Sequence, residues 1–126
     1  MSVSLFRVIL PVTNIEAGAA FYERALGIPG KRVSPGRHYF QCGATILACY
    51  SSRDDGDAWD VPANPEHIYF AVDDLELCFA RVRAAGGNRV DEAIKTQPWG
   101  ERSFYAEDPF GNKLCFVDET TLFTGE

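Results

Sequence analysis

The sequence predicts an α+β fold: two βαβββ modules, paired so that their strands form a curved mixed sheet around one cleft. Three observations predict it. The order strand, helix, three strands occurs twice, over residues 5–50 and 66–118. Laying Arg7 onward over His67 onward without gaps matches Val12 with Val72, Glu16 with Glu76, Ala20 with Ala80 and Gly27 with Gly87, with conservative pairs such as Val8 with Ile68 and Asn14 with Asp74 between them. Residues 51–65, rich in Ser, Asp, Gly, Pro and Asn, separate the two runs as a linker or open loop. A repeated supersecondary unit of this kind cannot cover its own sheet, so two must pack together, and a groove between them is the natural ligand site. The 126 residues suit one domain, 1–126, with a real core.

The elements follow in chain order. Residues 5–12 form an apolar run that reads as a strand buried on both faces. Asn14 is a good helix N-cap, and Ala17, Ala20, Phe21 and Ala25 repeat at helical spacing over Ile15–Leu26. Gly27 and then Pro29-Gly30 end that helix. Lys31–Ser34, Arg37–Cys42 and Thr45–Tyr50 read as strands, with turns at Pro35-Gly36 and Gly43. In the second half the strand is 67–72 and the helix 75–85, its apolar face set by Leu75, Phe79 and Val82 and its end by Gly86-Gly87. Residues 89–94, Arg102–Glu107 and Lys113–Asp118 complete the module, and residues 108–112, Asp-Pro-Phe-Gly-Asn, read as a tight hairpin turn. The 119–126 tail matches no element.

Composition excludes several classes. Apolar residues make up 46% and charged residues 24%, as in an ordinary globular chain. The formal charge of -6 argues against nucleic acid and against an anionic membrane surface as partners, since both need a basic face. No apolar run approaches the roughly 20 residues of a membrane span, and the N-terminus has no secretory pattern, so a cytoplasmic location is expected. Cys42, Cys49, Cys78 and Cys115 form no Cys-x-x-Cys pair and read as reduced, buried fillers. There is no P-loop, dinucleotide glycine loop or nucleophile elbow.

Val12-Thr13-Asn14-Ile15-Glu16, Phe21-Tyr22, Leu26-Gly27, Val72-Asp73-Asp74-Leu75, Trp99-Gly100-Glu101-Arg102 and Asp108-Pro109-Phe110-Gly111-Asn112-Lys113 occur in this order and spacing. Together they resemble the glyoxalase / bleomycin-resistance / extradiol-dioxygenase superfamily, the vicinal oxygen chelate proteins, over about residues 6–118. The resemblance implies a metal ligand early on the first strand of each half, usually His, and another on the last strand of each half, usually Glu. Those positions are Arg7 and His67 and, counted from the turn glycines Gly43 and Gly111, Leu47 and Cys115. Only His67 is an ordinary ligand. Cys115 could serve as a thiolate, Leu47 offers no donor atom, and the guanidinium of Arg7 repels a divalent cation. A catalytic centre needs about three protein ligands. The expected cofactor is therefore none, with a divalent metal as the alternative.

If Arg7, His67 and Cys115 face the cleft, as the resemblance implies, strand alternation places Ile9, Pro11, Tyr69, Ala71 and Val117 there too. Val8, Leu10, Val12, Ile68, Phe70, Val72, Leu114 and Phe116 pack under the helices. The candidate cleft is thus Arg7, Ile9, Leu47, His67, Tyr69, Trp99, Cys115 and Val117, with Trp59 and Trp99 as loop residues able to cover its mouth. Each has a plainer reading. Arg7 pairs with a carboxylate on a neighbouring strand, His67 is a hydrogen-bonded core histidine, Tyr69 and Cys115 are packing, and Trp99 staples its loop to the sheet.

Three functions compete. The first is a metal-free binding protein that sequesters an antibiotic or aromatic metabolite. The second is a divalent-metal lyase, isomerase or dioxygenase, motivated by His67 and Cys115, to which a partner chain could add ligands across a dimer interface. In the third, His67 acts as general acid/base and Arg7 stabilises an oxyanion. The resemblance implies a small-molecule ligand and a homodimer.

Overall fold

The computed structural model describes residues 1–125. The first half contains β1 (Arg7–Pro11), α1 (Ile15–Leu26), β2 (Lys31–Ser34), β3 (Arg37–Cys42) and β4 (Thr45–Tyr50). The second contains β5 (Ile68–Val72), α2 (Leu75–Ala84), β6 (Lys95–Thr96), β7 (Arg102–Glu107) and β8 (Lys113–Asp118). The strands form two four-stranded mixed sheets, ordered β1-β4-β3-β2 and β5-β8-β7-β6. Each is the same βαβββ module. Its first strand runs parallel to its last, and the rest are antiparallel. Both first strands, β1 and β5, are edge strands.

Local chemistry sets both helices. The Asn14 side chain accepts a hydrogen bond from the Ala17 amide at 2.9 Å, and the Asp74 side chain accepts from the Leu77 amide at 3.0 Å. Gly27 closes α1 at φ 67°, where a side chain would be strained. The helices pack on each other and each on its own sheet. One apolar cluster joins the halves, from Leu10, Phe21, Phe40 and Cys49 to Val82, Phe104, Leu114 and Phe116. Phe70, Phe116 and Phe104 stack in series, with ring centroids 5.1 Å apart at each step. No helix among the described residues is long and apolar enough to cross a membrane.

The 108–112 segment does more than turn the chain. Asp108 and Asn112 are fully buried and bind across the halves. The Tyr22 hydroxyl donates to Asp108 Oδ2 at 2.6 Å, and Asn112 Nδ2 donates to the Pro11 carbonyl at 2.6 Å and to Asp108 Oδ2 at 2.7 Å. The Asn64 amide donates to Asn112 Oδ1 at 2.8 Å while its side chain donates to the Ile9 carbonyl at 3.2 Å. Two carbonyls on the open side of edge strand β1, those of Ile9 and Pro11, are thereby satisfied. Burial, and then the Asp108 charge, push the Tyr22 phenol well above its ordinary pKa.

Two segments differ from the sequence expectation. Residues 89–94 are not a strand. Arg89 takes φ 46° immediately after the Asn88–Glu107 bridge, and although the Asp91 amide donates to the Tyr105 carbonyl at 2.9 Å, it is the Asp91 carboxylate that accepts the Tyr105 amide at 2.9 Å, so regular strand pairing resumes only at Lys95. The 51–65 linker begins as a folded turn. Ser51 and Ser52 are buried, Asp54 accepts from the Ile15 amide at 2.7 Å, and Asp55 accepts from Ser34 at 2.7 Å and from the Gly36 amide at 2.9 Å. The 119–126 tail starts with a 3₁₀ turn at Glu119–Thr121 and continues over the second sheet; Glu126 lies outside the described residues.

Candidate functional site

Cross-strand pairs share a face of a sheet, so the ladder registers assign each side chain. On the second sheet Tyr69 pairs with Cys115 and Ala71 with Val117, and across β8 Tyr105 pairs with Cys115 and Ser103 with Val117. These residues face away from the helices, whereas Phe70, Phe104, Leu114 and Phe116 face them. On the first sheet Arg7 pairs with Ile46, Ile9 with Ala48 and Pro11 with Tyr50, again on the outer face.

One expected position is corrected. Leu47 pairs with Val8 and Phe40 and belongs to the buried core, on the opposite face from Arg7. The residue equivalent to Cys115 is Ala48, since Ile9↔Ala48 repeats Tyr69↔Cys115. The two turns have different lengths. Cys42 pairs with Thr45 around Gly43-Ala44, whereas Glu107 pairs with Lys113 around residues 108–112. Counting from the glycines therefore slips by one residue, which exchanges faces.

The outer face of the second sheet is aromatic. His67 stands edge-on to Tyr105, with centroids 4.9 Å apart, and tilts against Tyr69 at 6.3 Å. Burial, then the Tyr69 hydrogen bond, push the Tyr105 phenol up to about 12. Cys115 is fully buried beneath these rings, and burial holds its thiol at about 11, so it is neither nucleophile nor ready ligand at neutral pH. Beside them lies a groove of about 410 Å³ bordered by Tyr69, Trp99, Glu101, Val117, Leu122 and Phe123. Trp99 Nε1 donates to Glu101 Oε1 at 2.8 Å, and the Phe123 amide donates to Glu101 Oε2 at 2.9 Å. One carboxylate thus fixes both the indole and the tail.

A second groove, of about 670 Å³, runs between the halves along the open edge of β5, bordered by Leu5, Val8, Cys42, Leu47, Ile68 and Tyr69 among others. Leu47, 3% exposed, borders this groove.

Of the expected site residues, Tyr69, Trp99 and Val117 come together at the smaller groove, with His67 and Cys115 adjoining Tyr69. Arg7 and Ile9 lie on the other sheet. The Arg7 guanidinium sits over the rings of Phe6 at 4.8 Å and Tyr39 at 5.3 Å. Arg7 and His67 thus each pack within their own half, and neither borders either groove. Trp59, 60% exposed, borders neither groove. Sequence reasoning missed Glu101, Leu122 and Phe123. The available signal was Trp99-Gly100-Glu101, a carboxylate two residues from an exposed indole, and an apolar pair in an otherwise unassigned tail.

The metal positions implied by the resemblance become Arg7, Ala48, His67 and Cys115 in register. They supply a fixed cation, no donor, one imidazole and one protonated thiol, and this set does not fit a chelated divalent metal. Among the described residues no group of three or more His, Cys, Asp or Glu stands together at metal-binding distance.

Comparison with known proteins gives a consistent family. The model of the "Glyoxalase/Bleomycin resistance protein/Dioxygenase superfamily" matches residues 4–116. A lactoylglutathione lyase from Haemophilus influenzae is 24% identical over 135 residues, covering 96% of each chain. Among solved structures, a glyoxalase-related enzyme from Fulvimarina pelagi superposes with a TM-score of 0.75 at 21% identity, covering 91% of this chain and 87% of that one. A glyoxalase/bleomycin resistance protein from Albidiferax ferrireducens T118 gives 0.74 at 22% identity, covering 90% and 97%.

Proposed function

The chain belongs to the glyoxalase/bleomycin resistance protein/dioxygenase superfamily, and from that premise we propose that it is a small-molecule-binding protein that works without a chelated metal. The ligand is a flat, partly apolar molecule, such as an antibiotic or aromatic metabolite held out of circulation. It lies against Tyr69, Trp99 and Val117 on the outer face of β5 and β8. One observation carries this reading. In register, the four positions that would ligate a metal are Arg7, Ala48, His67 and Cys115, a set without chelating chemistry. Tyr69 and Trp99, on the second sheet, supply the contact area that an apolar ligand needs. Screening planar aromatics and antibiotics by ligand-induced melting shifts tests it, since a ligand that binds only the folded state raises its melting temperature. A broad library giving no shift contradicts the reading.

The same reading includes a cytoplasmic homodimer. The open edge of β5 and the apolar groove between the halves are surfaces that a second copy would cover. Sedimentation at micromolar concentration giving only monomer refutes the dimer.

A second reading, a divalent-metal lyase, isomerase or dioxygenase, is favoured by the full-length similarity to a lactoylglutathione lyase. It requires ligands from a partner copy to complete His67. Replacing His67 with Ala should then abolish both bound metal and activity.

A further inference from the structure

We propose that the groove of the second sheet selects a cationic ligand, an ammonium or amidinium group on an aromatic or apolar body, with Glu101 as its counter-ion. The proposal rests on the reading of this face as the ligand site and adds the charge of what it takes. Glu101 is held in place by two uncharged donors, the Trp99 indole at 2.8 Å and the Phe123 amide at 2.9 Å. These bonds fix its position and leave its charge uncompensated. No ion pair among the described residues involves it. The adjacent Arg102 is committed elsewhere, to Glu76 and Asp118 at 2.8 Å each. Lys95 shares the outer face through its pairing with Ser103, but lies on the far edge strand and makes no ion pair with Glu101.

The walls suit the same ligand class. Tyr69, Trp99 and Phe123 are 58%, 45% and 52% exposed around one groove. Aromatic faces attract cations through their quadrupole, Trp most strongly. A carboxylate set among aromatic rings therefore discriminates by charge. It pairs with a cation, repels an anion, and gains nothing from a neutral molecule beyond apolar contact. The overall charge of -6 favours approach of the same class.

The test uses Trp59→Phe protein, so that Trp99 is the sole tryptophan, and follows its indole N–H by NMR during titration. The probes share one aromatic body: 2-phenylethylammonium, 2-phenylethanol and 3-phenylpropionate. The ammonium is expected to bind about tenfold more tightly than the alcohol, with the carboxylate weakest, and Glu101→Gln should remove most of that preference, leaving the smaller part due to the aromatic walls, while the protein stays folded by its melting curve. Equal binding of all three, or a preference undiminished in Glu101→Gln, overturns the charge selection by Glu101 and leaves the aromatic site standing. No perturbation by any probe removes the site and this inference together.

Discussion

Asn112 Nδ2 donates to the carbonyl of Pro11 at 2.6 Å, joining residues 101 positions apart and tying the last turn of the second module to the edge strand of the first. Pro11 has no N–H to offer a ladder, and its carbonyl would otherwise be buried without a partner. Asn112→Ala removes this bond and those to Asp108 and the Asn64 amide at once. Each stranded buried group costs about 1–3 kcal/mol, so a loss of about 3 kcal/mol is expected in urea unfolding. Tyr22→Phe should cost about 1–2 kcal/mol by removing one donor from Asp108.

The buried thiols predict alkaline instability. Burial raises Cys49 and Cys78 to about 12 and Cys115 to about 11, from an ordinary 9.0. Above pH 9 the unfolded chain releases these protons and the folded chain does not. Unfolding is then coupled to proton loss, and stability falls with rising pH until the folded thiols titrate. Equilibrium unfolding from pH 8 to 11 should show this decline, less steeply in Cys115→Ala. Iodoacetamide at pH 8 should leave Cys115 unmodified in folded protein.

An acid limb arises at His38. Its Nδ1 accepts from Arg32 Nε at 3.2 Å, its Nε2 is buried without a partner, and burial, then Arg32, lower its pKa from 6.5. Glu16, paired with Arg32, and Glu23 on α1 oppose that shift. The neutral ring is the form the fold accepts, so its contribution is present above pH 6.5 and is lost as pH falls below it. His38→Phe should flatten stability between pH 6.5 and 5. Gly30→Ala should destabilise by about 1–3 kcal/mol, since its Cβ would meet His38 Nε2 at 2.5 Å.

Much of this architecture was legible in the sequence because its signals are local. Asn14 and Asp74 mark helix starts by their capping side chains. The alternation from Arg7 to Val12 and from His67 to Val72 separates core from outer face without reference to anything distant. What escaped depends on partners far away in sequence. Leu47 was displaced by one residue because the two hairpin turns differ in length, a fact visible only in the strand pairing. The strand expected at 89–94 failed because the Asp91 side chain takes a backbone partner on β7. Asp108 and Asn112 carry the residue types of a simple turn, and their inter-half bonds to Tyr22 and Pro11 leave no local mark. Glu101 gains its place from Phe123, 22 residues later.

The most direct test is metal content per chain, by plasma mass spectrometry on untagged protein purified without chelator, before and after soaking with manganese, iron, nickel and zinc. Less than about a tenth of an equivalent of any of them is the expected result, from a register set of one imidazole, one protonated thiol, one alanine and one arginine. Stoichiometric metal that is lost in His67→Ala would contradict the account and make the protein a metal-dependent member of its superfamily.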